Sequence, residues 1–76
     1  MEKVLIIEDD KDIADLIAIH IADLGFEIDK AFDGNEGLLK ALNNVYKIIL
    51  LDIRLLDLTE WKSVRKFVKK RITLPF

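Results

Sequence analysis

The chain has no cysteine, and in 76 residues it has only one histidine, one tryptophan, one tyrosine and one proline. Without cysteine there is neither a disulfide framework nor a thiolate metal cluster, and the absence agrees with a reducing compartment. No apolar run approaches the roughly 20 residues that a membrane-spanning helix needs. Met1-Glu2-Lys3-Val4 leads straight into a strand-like run rather than a signal peptide. These absences set the expectation of a soluble cytoplasmic protein with no membrane partner. An excess of positive charge is missing too: 12 Lys and Arg against 14 Asp and Glu leave a net charge of -2. That balance argues against nucleic-acid binding as the main role, because neutralising backbone phosphates takes a net basic face. Internal repeats, low-complexity tracts and linkers are also lacking, so residues 1–76 are read as one domain.

What is there is apolar surface in a short chain. Hydrophobic residues make up 51% and charged residues 34%. A domain this small hides a modest share of its surface, so its core is marginal unless something else covers it. Val4-Leu5-Ile6-Ile7 is a continuous β-branched run that stops at Glu8-Asp9-Asp10, the pattern of a strand buried on both faces of a parallel sheet. From Asp12 the residues Ile13, Leu16, Ile17, His20, Ile21 and Leu24 recur at helical spacing, and Gly25 supplies a stop. Phe26, Ile28 and Ala31 suggest a second strand.

Asp33-Gly34-Asn35-Glu36 reads as a capping box that opens a second helix running to about Asn43-Asn44. Ile48 to Leu51, ending at Asp52, is a third strand. Asp57-Leu58-Thr59-Glu60 opens a third helix with Trp61, Val64, Phe67 and Val68 on its inner face. Arg71 to Phe76 leaves that helix and begins a fourth strand, since the extended Ile72-Thr73 pair precedes Pro75. The order βαβαβα(β) with short connections predicts an α/β fold: a three-layer arrangement around a parallel sheet of strand order 2-1-3, with right-handed crossovers.

Parallel sheets of this kind bind ligands beyond the carboxyl ends of their strands. The first strand ends at Glu8 and Asp9 and the third at Asp52, and neighbouring parallel strands would bring the three carboxylates together. Any one acid at a strand end is most simply a solvated residue. An apolar run ending in acids at two strand ends is a stronger signal. Three like charges in one pocket call for a hard cation such as Mg²⁺, and a carboxylate beside that cation is a plausible phosphoryl acceptor.

Leu5-Ile6-Ile7-Glu8-Asp9-Asp10, Leu24-Gly25-Phe26, Ala31 through Leu38 and Ile48-Ile49-Leu50-Leu51-Asp52 resemble, in order and spacing, successive motifs of response-regulator receiver domains of the chemotaxis type. The resemblance covers essentially the whole chain and implies the N-terminal half of a flavodoxin-like fold. It implies that Glu8 and Asp9 form an acidic pocket and that Asp52 takes phosphate from a histidine kinase. It further implies that Asp9, Asp52 and the backbone carbonyl of Arg54 bind Mg²⁺.

The chain departs from the family pattern in several places. A Ser or Thr after the fourth strand and a Lys after the fifth have no counterpart, so weak Mg²⁺ binding and little phosphotransfer are expected, and the chain is not expected to be an enzyme. Leu56 and Glu60 stand where the family usually has Pro and Gly, which favours a longer helix. Ile19, Leu39, Val45 and Val68 put apolar groups where polar ones are usual. The third strand would keep a bare outer edge, and the simplest remedy is a homodimer joined through that edge or by exchange of the tail from Ile72 to Phe76.

His20 is read as a partly buried packing residue, not a phosphohistidine or a metal ligand. Arg65, Lys66, Lys69, Lys70 and Arg71 are read as cations that complement a helix C-terminus. The leading expectation is a self-associating receiver fragment, natural or engineered, with a vestigial pocket. Its rivals are an authentic phosphorelay receiver labelled on Asp52 and an adaptor that binds a partner or nucleic acid through the basic third helix.

Overall fold

The computed structural model describes residues 2–52 and 71–74. Four strands and two helices follow one another: β1 (Lys3–Ile7), α1 (Lys11–Ala22), β2 (Glu27–Ala31), α2 (Gly34–Asn43), β3 (Ile48–Asp52) and β4 (Arg71–Leu74). The third helix expected from Asp57, with Trp61, Val64, Phe67 and Val68, lies outside the described residues. So do Arg54, Leu56 and Glu60, and Arg65 to Lys70.

The strands pair in parallel in the order β2-β1-β3-β4. The 2-1-3 order read from the sequence is therefore present, and the whole order follows the flavodoxin-like pattern. Alternation along β1 and β3 divides the interior into two cores. Leu5, Ile7, Ile49 and Leu51 join Ala31, Ala41 and Tyr46 on the face that α2 covers. Val4, Ile6 and Leu50 join Ala14 and Ala18 on the face that α1 covers. Each fully buried Leu or Ile contributes on the order of 1.5–3 kcal/mol, so these two strands carry most of the hydrophobic stabilisation.

One expectation is corrected at the sheet edge. The outer edge of β3 is not bare: Arg71–Leu74 pairs with it in parallel, Ile49 against Arg71 and Asp52 against Leu74. The tail's own backbone satisfies the groups that a second copy was expected to cover, so neither pairing through β3 nor exchange of the tail is needed to complete that edge.

A second correction concerns α1. The helix begins at Lys11, one residue earlier than expected, because Asp10 is its N-cap: the Asp10 Oδ1 accepts from the Asp12 N–H at 2.9 Å and the Ile13 N–H at 3.2 Å. Its buried line is Ala14 and Ala18, flanked by half-buried Ile13, Ile17 and Ile21. Leu16, His20 and Leu24 are exposed. Two alanines at the centre let the helix approach the sheet closely, which turns the larger residues of the periodic set out to its flank. Gly25, at φ 97°, adopts the left-handed turn that only glycine takes at little cost, and its N–H closes on the Ala22 carbonyl at 2.9 Å.

The capping box at α2 is present in altered form. Asp33 Oδ1 accepts from the Glu36 N–H at 2.7 Å, while Glu36 Oε1 accepts from the N–H of Phe32 at 2.7 Å, one residue before the cap. Both bonds fix the turn that leads from β2 into α2.

Candidate functional site

The carboxyl ends of β1 and β3 lie side by side. Ile7 pairs with Leu51, so Glu8 and Asp52 each stand one step past the last matched pair, on strands about 4.8 Å apart. The topology thus brings Glu8, Asp9 and the backbone of Asp52 to one edge of the sheet. The side chain of Asp52 and the carbonyl of Arg54 are outside the description.

The three consecutive acids after β1 occupy different surroundings. Glu8 is 0% exposed; its Oε1 accepts the N–H of Asp10 at 3.1 Å, and its own N–H donates to the Ala31 carbonyl at 3.0 Å. Taking a carboxylate out of water costs several kcal/mol unless partners hold it, so a buried glutamate at a strand end is a costly choice for a purely structural position. Asp9 is exposed at the rim. Asp10 is committed to the α1 cap, which the N-cap signature of an aspartate just before a helical period could have revealed.

The turn after β2 forms the neighbouring wall. Ala31 is the partner of Ile7, so Phe32 follows β2 as Glu8 follows β1. The Lys11 ammonium stands 5.4 Å from the centre of the Phe32 ring, within cation–π range. Sequence reasoning passed over both residues.

The set expected from the sequence, carboxylates with one backbone carbonyl, is oxygen throughout, the chemistry a hard cation prefers. Among the described residues no three His, Asp or Glu side chains gather as a metal cluster; the side chain of Asp52, the third carboxylate of the expected set, lies outside them. His20, exposed on the second half of α1, takes no part in the group at the strand ends.

A separate polar network, also unread in the sequence, sits under α2. The buried Tyr46 hydroxyl donates to Asp29 Oδ2 at 2.6 Å, and the Lys40 ammonium lies 3.5 Å from Asp29 Oδ1 while also donating to the Lys30 carbonyl. The Tyr46 hydrogen bond, opposed by desolvation and helped by Lys40, holds the Asp29 carboxyl below its usual range. Burial, then the Asp29 carboxylate, pushes the Tyr46 hydroxyl well above its ordinary value. This network ties β2 to α2 and to the loop before β3, at a distance along the strand from the acidic edge.

No protein-family model matches the chain. Among curated proteins it is 45% identical over 53 residues to the transcriptional regulatory protein DltR of Streptococcus agalactiae, a match covering 70% of this chain and 24% of that protein. It is 34% identical over 73 residues to the response regulator ArlR of Staphylococcus saprophyticus, covering 96% of this chain and 33% of the relative. The chain therefore spans a third or less of the curated relatives it matches. Among solved structures, the response regulator TrrA of Thermotoga maritima in complex with Mg²⁺-BeF superposes with a TM-score of 0.78 at 22% identity, covering all of this chain and 89% of that one. TrrA in complex with the histidine kinase ThkA gives 0.76 at 22% identity, with coverage of 100% and 88%.

The sheet order defines a doubly wound α/β fold with acids at the carboxyl ends of its strands. Sequence and fold together place the chain among response-regulator receiver domains. Among the described residues, no helix is long and apolar enough to cross a membrane.

Proposed function

We propose that this chain is a phosphoacceptor of two-component signalling, in which Asp52 receives a phosphoryl group from a histidine kinase and Glu8 and Asp9 supply the acidic pocket beside it. The observation that carries the reading is Glu8: a fully buried carboxylate, held by the Asp10 N–H, at the same strand-end edge to which β3 delivers Asp52. Favouring an acceptor over the silent pocket anticipated from the sequence is Glu8, which is fully buried and held by the Asp10 N–H.

In the transfer, a carboxylate oxygen of Asp52 attacks phosphorus in line with the nitrogen–phosphorus bond of a phosphohistidine. The O–P bond forms as the N–P bond breaks, and the departing imidazole nitrogen keeps the electron pair and takes up a proton. Asp52 is consumed stoichiometrically, so the chain is an acceptor and not a turnover enzyme. Asp9, Asp52 and the Arg54 carbonyl would hold Mg²⁺, which when bound supplies positive charge that offsets repulsion between the carboxylates and the incoming phosphoryl oxygens. Glu8, dry and fixed, keeps the pocket acidic and orients the loop that carries Asp9. The kinase partner and the cation are supported by the solved complexes of TrrA, one with ThkA and one with Mg²⁺-BeF. We place this function in the cytoplasm.

Fluorine NMR with beryllofluoride tests the reading. Bound signals that require both Mg²⁺ and Asp52, and vanish in Asp52→Asn, are the expected result. Absence of any bound signal at millimolar Mg²⁺ and fluoride would count against it.

A second reading, self-association, is favoured by one observation. Of the four apolar residues singled out in the sequence, Ile19, Leu39 and Val45 are 67%, 62% and 78% exposed, and Val68 lies outside the described residues. Ile19 lies on the α1 side of the sheet and Leu39 on the α2 side, so they offer separate apolar patches, each independent of the β3 edge.

A further inference from the structure

We infer that Lys11 is a donor-steering residue of the acidic site, a fixed cation at its rim that draws doubly charged, small phosphoryl donors toward it. The inference rests on the phosphoacceptor reading and adds a specificity-determining residue to it.

The case begins with where the positive charges lie. Among the described lysines, Lys3 and Lys47 stand at the amino end of the sheet, where Lys47 pairs with Glu2 at 3.0 Å. Lys30 is paired with Asp15, and Lys40 with Asp29. Lys11 differs in place and in company. It opens α1 directly after Glu8-Asp9-Asp10, at the carboxyl edge, and the group recorded against its ammonium is the ring of Phe32.

That company matters physically. A carboxylate partner cancels a lysine's charge for an approaching anion, whereas an aromatic ring attracts the ammonium through its quadrupole and leaves the full charge in place. Phe32 is in turn anchored, half-buried, with its N–H held by Glu36. Phe32 follows β2 beside Glu8 in the parallel register, so the anchored ring keeps the ammonium at the mouth of the site instead of letting it range over the surface. Glu8 and Asp9, at the end of β1, and Asp52, where β3 ends beside them, carry negative charge that repels a doubly charged donor, and a cation on the neighbouring turn offsets part of that repulsion during approach. A charge acting in this way raises the association rate, and salt weakens it.

The donors that distinguish this role are acetyl phosphate, which approaches largely as a dianion, and phosphoramidate, which approaches largely as a monoanion. Transfer from acetyl phosphate forms the O–P bond to Asp52, breaks the P–O bond to the acetyl group and releases acetate. Steady-state labelling of the full chain is compared for wild type, Lys11→Ala and Lys11→Arg at low and high ionic strength with Mg²⁺ constant. In Lys11→Ala the acetyl phosphate rate is expected to fall by about three- to tenfold at low salt, converge on wild type near 1 M salt and change much less for phosphoramidate, with Lys11→Arg restoring it. Equal rates for wild type and Lys11→Ala at every ionic strength would overturn the inference.

A titration that needs no transfer separates this outcome from failure of the acceptor reading. Acetonylphosphonate, in which a methylene replaces the bridging oxygen of acetyl phosphate and so blocks transfer, is expected to give saturable NMR shifts at the amides of Lys11 and Phe32 in wild type that are lost in Lys11→Ala. Shifts without labelling would retain Lys11 as an anion-attracting residue and sink the acceptor assignment of Asp52. Labelling of wild type without such shifts would retain the acceptor and sink the inference. The absence of both would sink both.

Discussion

Tyr46 donates its hydroxyl hydrogen to Asp29 across the α2 face of the sheet, at 2.6 Å from Oδ2. The bond joins the loop before β3 to the edge strand β2 through residues 17 apart in sequence. Each partner shifts the other, Asp29 downward and Tyr46 upward.

Stability should therefore respond to pH at both ends of the scale. Asp29 ionises more readily when folded, so its contribution is complete above about pH 5 and is lost as pH falls through the lowered value of the folded chain. Tyr46 ionises less readily when folded, so its contribution is complete below about pH 10 and is lost as pH rises beyond the point where the unfolded phenol ionises. Tyr46→Phe should lower unfolding free energy by about 1–2 kcal/mol at pH 7 and flatten both limbs. Urea denaturation of the two proteins across pH 3 to 11 measures this; parallel curves for the pair would refute the link.

Gly37 lets α2 approach the side chain of Ile7 on β1 closely. A Cβ there would meet the side chain of Ile7, with Cγ1 at 2.7 Å and Cγ2 at 3.1 Å, and Ile7 is fully buried with no room to withdraw. Gly37→Ala should cost about 1–3 kcal/mol despite the better helix propensity of alanine. Adding Ile7→Val, which removes the end methyl, should recover part of the loss in chemical denaturation. A stabilised single variant would show that α2 sits further from β1 than described here.

The strands were legible because each is an apolar run stopped by acid or turn residues, and Glu8, Asp9 and Asp52 were legible because they are those stops. Two kinds of information were not. The helical spacing in α1 is carried by Ile13, Leu16, Ile17, His20, Ile21 and Leu24, whereas the buried line is Ala14 and Ala18; hydrophobic periodicity weights side-chain size, and close helix–sheet packing favours small residues. The pairing of β4 with β3 is a long-range event that Ile72-Thr73 alone does not announce, so the sequence by itself leaves that edge open. The division of labour among Glu8, Asp9 and Asp10 was likewise hidden, since burial and capping are decided by how β1 hands over to α1.

The caps make the handover testable. Asp33→Ala removes the acceptor of the Glu36 N–H and Asp10→Ala the acceptor for Asp12 and Ile13; each should destabilise by about 1 kcal/mol. Asp10→Asn retains an acceptor and should lose less than half of that. Thermal unfolding followed by circular dichroism ranks the three, and an inert Asp10→Ala would remove Asp10 from the cap.

Self-association predicts about twice the monomer mass at micromolar concentration in sedimentation velocity. Ile19→Glu combined with Val45→Glu should return the monomer with little loss of stability, since both positions are exposed. A monomeric wild type would end that reading while leaving the acceptor proposal untouched.

The acceptor assignment itself is tested most directly by mass spectrometry after incubation with acetyl phosphate and Mg²⁺. One phosphoryl group on wild type, mapped to Asp52, labile to hydroxylamine and lost in Asp52→Asn, is the predicted result. An unlabelled wild type that is folded by circular dichroism, or a label that survives in Asp52→Asn, would contradict it.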